Sequence, residues 1–231
     1  MTKYHDVDIT CPYCGRTGPF RIYDSINTVL DPELKEALFD FSLFTFTCPV
    51  CQKKAPVLYP LLYHQMEDRL MIYLIDRDKV DEAKEIFSQL PFTIGKYAPG
   101  KEYTCRIVTD PDSLLEKIRI HDARLDDRII EILKLFVREK TGDEKIPRTD
   151  SIRYIPDHEG NPGGLLLFKE QKATGSTVIS EEAYTAVSHL LQAGESLPAA
   201  KEMVIDQAWA ETFLEQTEKL LNAERTPDSR K

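Results

Sequence analysis

Two short cysteine pairs, Cys11-Pro12-Tyr13-Cys14 and Cys48-Pro49-Val50-Cys51, constrain the fold of this chain more than any other feature. A two-residue spacer lets both sulfurs of a pair turn toward one centre, and four thiolates close the tetrahedral shell zinc prefers, with bonds of about 2.3 Å. The proline after each first cysteine presets a tight turn. Gly15 supplies positive φ after the first pair, and Arg16, Lys53 and Lys54 stand where they offset part of the charge of a four-thiolate centre. Thirty-three residues separate the pairs. Closing such a loop costs roughly 3 kcal/mol plus a constant, while structural zinc binds with an apparent free energy of roughly 10–16 kcal/mol. The expected site is therefore a structural Zn2+ held by Cys11, Cys14, Cys48 and Cys51.

A redox role competes with this reading, because Cys-Pro-Tyr-Cys is also the active-site tetrapeptide of glutaredoxins. There the first cysteine opens a helix whose dipole lowers its pKa. Here Gly15-Arg16-Thr17-Gly18-Pro19 follows the pair and does not continue a helix, and a single redox site leaves the second pair unexplained. Structural disulfides are disfavoured because no charged-then-apolar leader precedes Cys11, which points to a cytoplasmic, thiol-reducing setting. The fifth cysteine, Cys105, sits in the strand-like run Tyr103 to Val108 and reads as a buried, inert thiol.

Composition matters chiefly for partners. The formal net charge is −9, with basic residues dispersed rather than gathered in a stripe, so a nucleic-acid-binding ribbon is disfavoured. No apolar run approaches the roughly 20 residues of a membrane span. A protein partner or a small ligand is the remaining expectation.

The rest of the chain divides by pattern. Phe20 to Ile26 alternates like a strand, Asp31-Pro32 opens a short helix, and the aromatic run Phe41 to Thr47 reads as a strand feeding the second pair. Ala55 to Tyr63 and Arg69 to Ile75 read as a hairpin covered on both faces. A helix from about Arg77 to Leu90 shows Val80, Ala83, Phe87 and Leu90 on one face, and a strand spans Glu102 to Thr109. Asp110-Pro111 then starts a helical stretch reaching about Lys140, with a break expected at His121-Asp122-Ala123-Arg124.

His121, Asp122, Asp126 and Asp127 form the one cluster with acid–base or metal-binding residue types outside the cysteines. Aspartates also begin helices and pair with nearby arginines such as Arg124 and Arg128, and no nucleophile or phosphate-cradling loop accompanies them. A helix boundary is the favoured reading. His64 and His5 read as turn or satisfied residues.

Taken in order, the two Cys-Pro-x-Cys pairs, Asp31-Pro32-Glu33-Leu34, Leu61-Leu62-Tyr63-His64, Leu114-Leu115-Glu116-Lys117-Ile118 and Leu125-Asp126-Asp127-Arg128-Ile129-Ile130-Glu131 resemble the bacterial and archaeal CpXC domain. The resemblance covers roughly residues 7–140. It implies a domain named for its cysteine motif, with no established biochemical activity. Gln65 stands after Tyr63-His64 where the family pattern has Asp.

Beyond it, Thr141 to Asp150 reads as a linker, Ile152 to Ile155 and Leu165 to Lys169 as strands joined by a glycine-rich hairpin loop, and Gly160-Asn161-Pro162-Gly163-Gly164 lacks the ending of a P-loop. Ser180 and Asp206 cap two helices, the second carrying Trp209, Phe213, Thr217 and Leu220, and the tail from Arg225 to Lys231 should fray. The expected architecture is α+β: a zinc-ribbon-like four-cysteine site at one end of an antiparallel sheet with packed helices (1–140), a linker (141–150), and a small C-terminal α+β or helical domain (151–224). The expected function is a non-catalytic, zinc-stabilised binding or regulatory module. The alternatives are a thiol-disulfide oxidoreductase using Cys11 and Cys14 and a nucleic-acid-associated zinc ribbon.

Overall fold

A computed structural model describes residues 1–94, 103–141, 149–157 and 161–225. The chain forms two compact units, residues 1–115 and 116–231.

In the first unit, β1 (Lys3–Thr10) and β2 (Thr17–Asn27) form an antiparallel ribbon whose connecting tip is the first cysteine pair. The second pair is likewise the tip of a hairpin, between β3 (Thr45–Thr47) and β4 (Lys54–Pro56). Between the ribbons lies α1 (Glu33–Phe39), with Pro32 at its N-cap. The main sheet adds β5 (Leu61–Gln65), β6 (Leu70–Leu74) and β7 (Thr104–Val108), in the order β1-β2-β5-β6-β7.

This sheet is mixed, which corrects the antiparallel expectation within an α+β class that holds. β5 and β6 form the expected hairpin, but β2 runs parallel to β5 and β6 parallel to β7. Parallel neighbours need a long crossover. The helix α2 (Val80–Ile94) supplies one, and α1 with the second cysteine hairpin supplies the other. Ala83 and Phe87 of α2 are fully buried, as their spacing predicts.

Three local readings also change. The run Ala55 to Tyr63 is two strands, because Pro56 and Pro60 interrupt ladder donation; β4 serves the cysteine hairpin and β5 the main sheet. Phe41 to Phe44 is a turn, with Phe41 at φ 60° and a short 3-10 helix at Ser42–Phe44. Here the Ser42 amide donates to Asp40 Oδ1 and the Thr45 hydroxyl to the Phe41 carbonyl, so side chains compete with a strand ladder. β1 escaped the sequence reading because its side chains are mostly exposed and its apolar alternation is confined to Val7 and Ile9.

The helix α3 (Pro111–Asp122) starts as expected: Asp110 accepts from the Ser113 amide and hydroxyl. It ends at the expected break. Arg124 takes φ 60°, the Leu125 amide donates to the Ile120 carbonyl and the Arg124 amide to that of His121, the two bonds of a Schellman cap. The chain then enters α4 (Asp127–Glu139).

The second unit continues with β8 (Ser151–Ile155), β9 (Gly164–Lys169) and β10 (Lys172–Val178), an antiparallel sheet in the order β10-β9-β8. The β8–β9 hairpin was expected; exposed, polar β10 was not. Helices α5 (Glu181–Ala193) and α6 (Gln207–Arg225) follow, capped by Ser180 and Asp206 as read. Ile129, Ile132 and Leu133 of α4 share one core with Tyr154, Leu165, Val187, Leu191, Trp209 and Phe213. That shared core sets the division at Leu115/Glu116, upstream of the stretch 141–150 read as a linker. Residues 142–148 of that stretch, Glu102 of the strand read before α3, Gly160 of the glycine-rich loop and most of the tail, 226–231, lie outside the described residues.

Candidate metal centre

Each cysteine pair is folded by the same backbone bonds. The Cys11 amide donates to the Arg16 carbonyl and the Gly15 amide to the Cys11 carbonyl; the Cys48 amide donates to Lys53 and the Gln52 amide to Cys48. The residue after each pair takes positive φ, 71° at Gly15 and 58° at Gln52. The two hairpin tips are thus equivalent turns, and Gln52 adopts what glycine does at the first. Its side chain donates to the Pro49 carbonyl at 3.0 Å, a bond that helps hold it there.

The four sulfurs converge within 4.8 Å of one another. Cys11 and Cys51 stand 3.6 Å apart and Cys14 and Cys48 3.7 Å. A regular tetrahedron with metal–sulfur bonds of about 2.3 Å has edges of about 3.8 Å, so these spacings suit four thiolates around one metal ion. All four expected ligands are brought together, and they are positioned to bind a metal ion. Cys11 and Cys48 are buried, Cys51 is half-buried and Cys14 is exposed.

Surroundings tune the thiols. Amide N–H groups of Cys51 and, secondarily, Val50 stabilise the Cys48 thiolate against the opposing effect of burial, lowering its pKa to about 6. At Cys14 the Arg16 amide pulls downward, but partial desolvation and the neighbouring sulfurs outweigh it and push the pKa up to about 12. One thiol of the set thus ionises readily while another holds its proton, the pattern of sulfurs crowded together. Phe46 and Ala55, with Ile9, Phe20 and Val57 beside them, form an apolar floor under Cys11 and Cys48. Phe20 and Phe46 meet edge to face at 6.3 Å. Lys53 lies 5.1 Å from the Tyr13 ring centroid, so it reaches across from the second tip to the first.

Gly18 is a supporting residue that the sequence reading passed over. A Cβ there would stand 2.6 Å from Pro49 Cδ, so β2 has room for the second tip only because this position is glycine. Gly18→Ala should displace Pro49, cost about 1–3 kcal/mol of overpacking and lower metal affinity about tenfold. Competition with a chromophoric chelator measures it; unchanged affinity would show that the tip yields freely.

Among the described residues, the other candidates are not part of a group that could hold a metal ion. Asp126 is the N-cap of α4, accepting from the Arg128 amide at 2.9 Å and from its guanidinium at 2.6 Å. Asp127 is buried and pairs with Lys117 at 3.0 Å. His121 and Asp122 fall in the last turn of α3. His64 meets the Tyr103 hydroxyl at 3.2 Å, and burial holds its pKa below the ordinary value. His5 pairs with exposed Asp24. Gln65 is buried, accepting from the Tyr63 hydroxyl and Lys35 and donating to Asp68. Cys105 is half-buried rather than buried, and desolvation pushes its thiol pKa up.

The sequence reading missed a buried ionic network in the second unit. Lys134 on α4 reaches Glu116 of α3 at 2.6 Å and Glu131 at 3.0 Å; Lys117 reaches Asp127 at 3.0 Å and Glu131 at 3.4 Å. All five side chains are at least nine-tenths buried. Glu116 also accepts from the Tyr154 amide of β8. The signal was present as charges inside apolar runs, Leu115-Glu116-Lys117-Ile118 and Leu133-Lys134-Leu135.

Among the described residues, no helix is long and apolar enough to cross a membrane. No curated protein matches the chain, and no solved structure does. A family model described as CpXC protein matches residues 9–134, a span holding both cysteine pairs and the five network residues. Since the match covers more than half of the chain, the protein belongs to the CpXC family.

Proposed function

We propose that this chain is a non-catalytic binding or regulatory module whose first unit is clamped by structural zinc at Cys11, Cys14, Cys48 and Cys51. The observation that carries the reading is the closed set of four sulfurs at tetrahedral spacing on two equivalent turns. Catalytic zinc sites keep a position open for water or substrate, whereas four protein sulfurs fill the shell. The position of Cys11 argues against a glutaredoxin-like centre: it is buried, and the chain passes from the turn into β2 rather than into a helix.

Chelation tests this. Stripping the metal at neutral pH should abolish the protection of amides in β3, β4 and the first tip from hydrogen exchange, and readdition of zinc should restore it. The zinc-loaded protein should not accelerate reduction of a disulfide substrate. Full protection after complete metal removal, or turnover of a disulfide by the loaded protein, would sink the proposal.

A further inference from the structure

The acidic residues of this chain are unevenly placed. Asp and Glu number 39 in 231 residues, yet residues 9–23 and 41–66, the stretches that carry the cysteine pairs, contain none where the chain's average would place about seven. The same stretches hold Arg16, Arg21, Lys53 and Lys54. Arg21 is held by Asp6 at 2.9 Å. Among the described residues neither Arg16 nor Lys53 pairs with a carboxylate, and Lys54 interacts with Asp40 electrostatically without forming an ion pair. All three side chains are exposed. A four-thiolate zinc centre adds two negative charges, and these three cations outnumber them.

The tips also expose apolar surface. Tyr13 and Val50, the third residues of the two pairs, are 55% and 63% exposed, and Pro12 and Pro49 beside them are exposed as well. The four sulfurs meet within 4.8 Å and Lys53 lies over the Tyr13 ring, so both tips present these groups together. The result is one small surface, apolar at its centre and positive around it, on a chain whose net charge is −9. Its complement is a partner that is both negative and apolar.

A nucleic-acid strand and an acidic protein segment both carry negative charge, and the tips suit the second. Affinity for a strand builds along a track of phosphates, with successive bases stacked on a row of aromatic rings. Here the cations cluster on two turns, Tyr13 is the single ring at the tips, and Lys53 already lies over it. Val50 and the two prolines offer a base no π-face to stack on. The acidic remainder of the chain also repels a long polyanion. A peptide that alternates carboxylates with apolar side chains engages the cations and Val50 alike.

We propose that the joined cysteine tips are a docking surface for a protein segment in which acidic residues flank apolar ones. Arg16, Lys53 and Lys54 take its carboxylates, and Tyr13 and Val50 its apolar side chains. This rests on the clamped first unit proposed above and names the class of partner that unit binds. The surface is small, so the contact belongs with weak, transient ones, with Kd between about 10 µM and about 1 mM and weakening as salt is added. Fluorescence anisotropy on the full chain, loaded with one zinc, tests it with three labelled probes: a short peptide alternating glutamate with leucine and phenylalanine, its glutamine counterpart, and an oligothymidylate strand of the same length. The acidic peptide should bind in that range and the glutamine counterpart at least about tenfold more weakly. Val50→Ser and Lys54→Glu should each weaken the acidic peptide about threefold to tenfold. Zinc content and hairpin protection are measured on every sample first. A chain that lacks either before any peptide is added would overturn the clamp, and this surface with it. A loaded, protected chain overturns the docking surface alone if it leaves the acidic peptide unbound at about 1 mM, holds the glutamine counterpart equally well, or prefers the thymidylate strand. Undiminished binding by both loaded variants would overturn it as well.

Discussion

Cys48→Ser is expected to release the metal and unfold the second cysteine hairpin and the tip of the first while leaving the second unit's core intact. Cys48 is fully buried on the apolar floor with Phe46 and Cys11, and amide N–H groups stabilise its thiolate. Apparent zinc binding of roughly 10–16 kcal/mol rivals or exceeds the entire stability of a typical domain, about 5–15 kcal/mol, so the loss exceeds what the small floor cluster can offset. Hydrogen exchange should show lost protection in β3, β4 and the first tip, with α4 to α6 still protected. Cys105→Ser is the control. Its half-buried thiol stands in β7 outside the sulfur cluster, and metal content should be unchanged. If Cys48→Ser retained one metal per chain and a folded β3–β4 hairpin, the clamp would not depend on four sulfurs.

The second large effect lies in the buried network. Lys134→Met should cost about 3–5 kcal/mol in denaturant unfolding of the second unit, because it leaves Glu116 and Glu131 buried without their main counter-charge. The dependence on pH should change sign. In the wild type burial works to raise the Glu131 pKa, but Lys134 and Lys117 more than reverse this and hold it below the ordinary carboxylate value. Its stabilising contribution is therefore present above the unfolded carboxylate pKa and is lost as pH falls through the folded one. Burial also opposes the Lys134 charge, yet Glu131 and Glu116 raise its pKa. Its contribution is present below the unfolded lysine value and lost as pH rises through the folded one. Without Lys134 the burial effect dominates at Glu131, which then binds its proton more tightly than in the unfolded chain, and stability should fall as pH rises from about 4 to about 7. A loss below about 1 kcal/mol, or a wild-type slope in that window, would show that water screens the network.

What was legible in the sequence follows from the range of the interactions involved. Caps are local, so Asp110, Ser180 and Asp206 announced their helices, and the break before Arg124 was readable from polar residues where an apolar face should continue. The four-cysteine cluster was readable because its residues are chemically distinctive and evenly spaced, although they lie on two hairpins far apart in the chain. Strand direction was not, since β2 and β5 meet only after the intervening helix and hairpin have turned the chain around. The exposed strands β1 and β10 carry no buried stripe to mark them. Gly18 and the Glu116–Lys134 pair depend on what packs opposite, and a single sequence does not record that.

The clamp itself is most directly examined by X-ray absorption at the zinc edge, combined with metal counting on the full chain. One zinc per chain with four sulfur neighbours at about 2.3 Å is the expected spectrum. A shell containing nitrogen or oxygen, or metal-free protein whose four paired thiols titrate freely while both hairpins stay folded, would contradict the account.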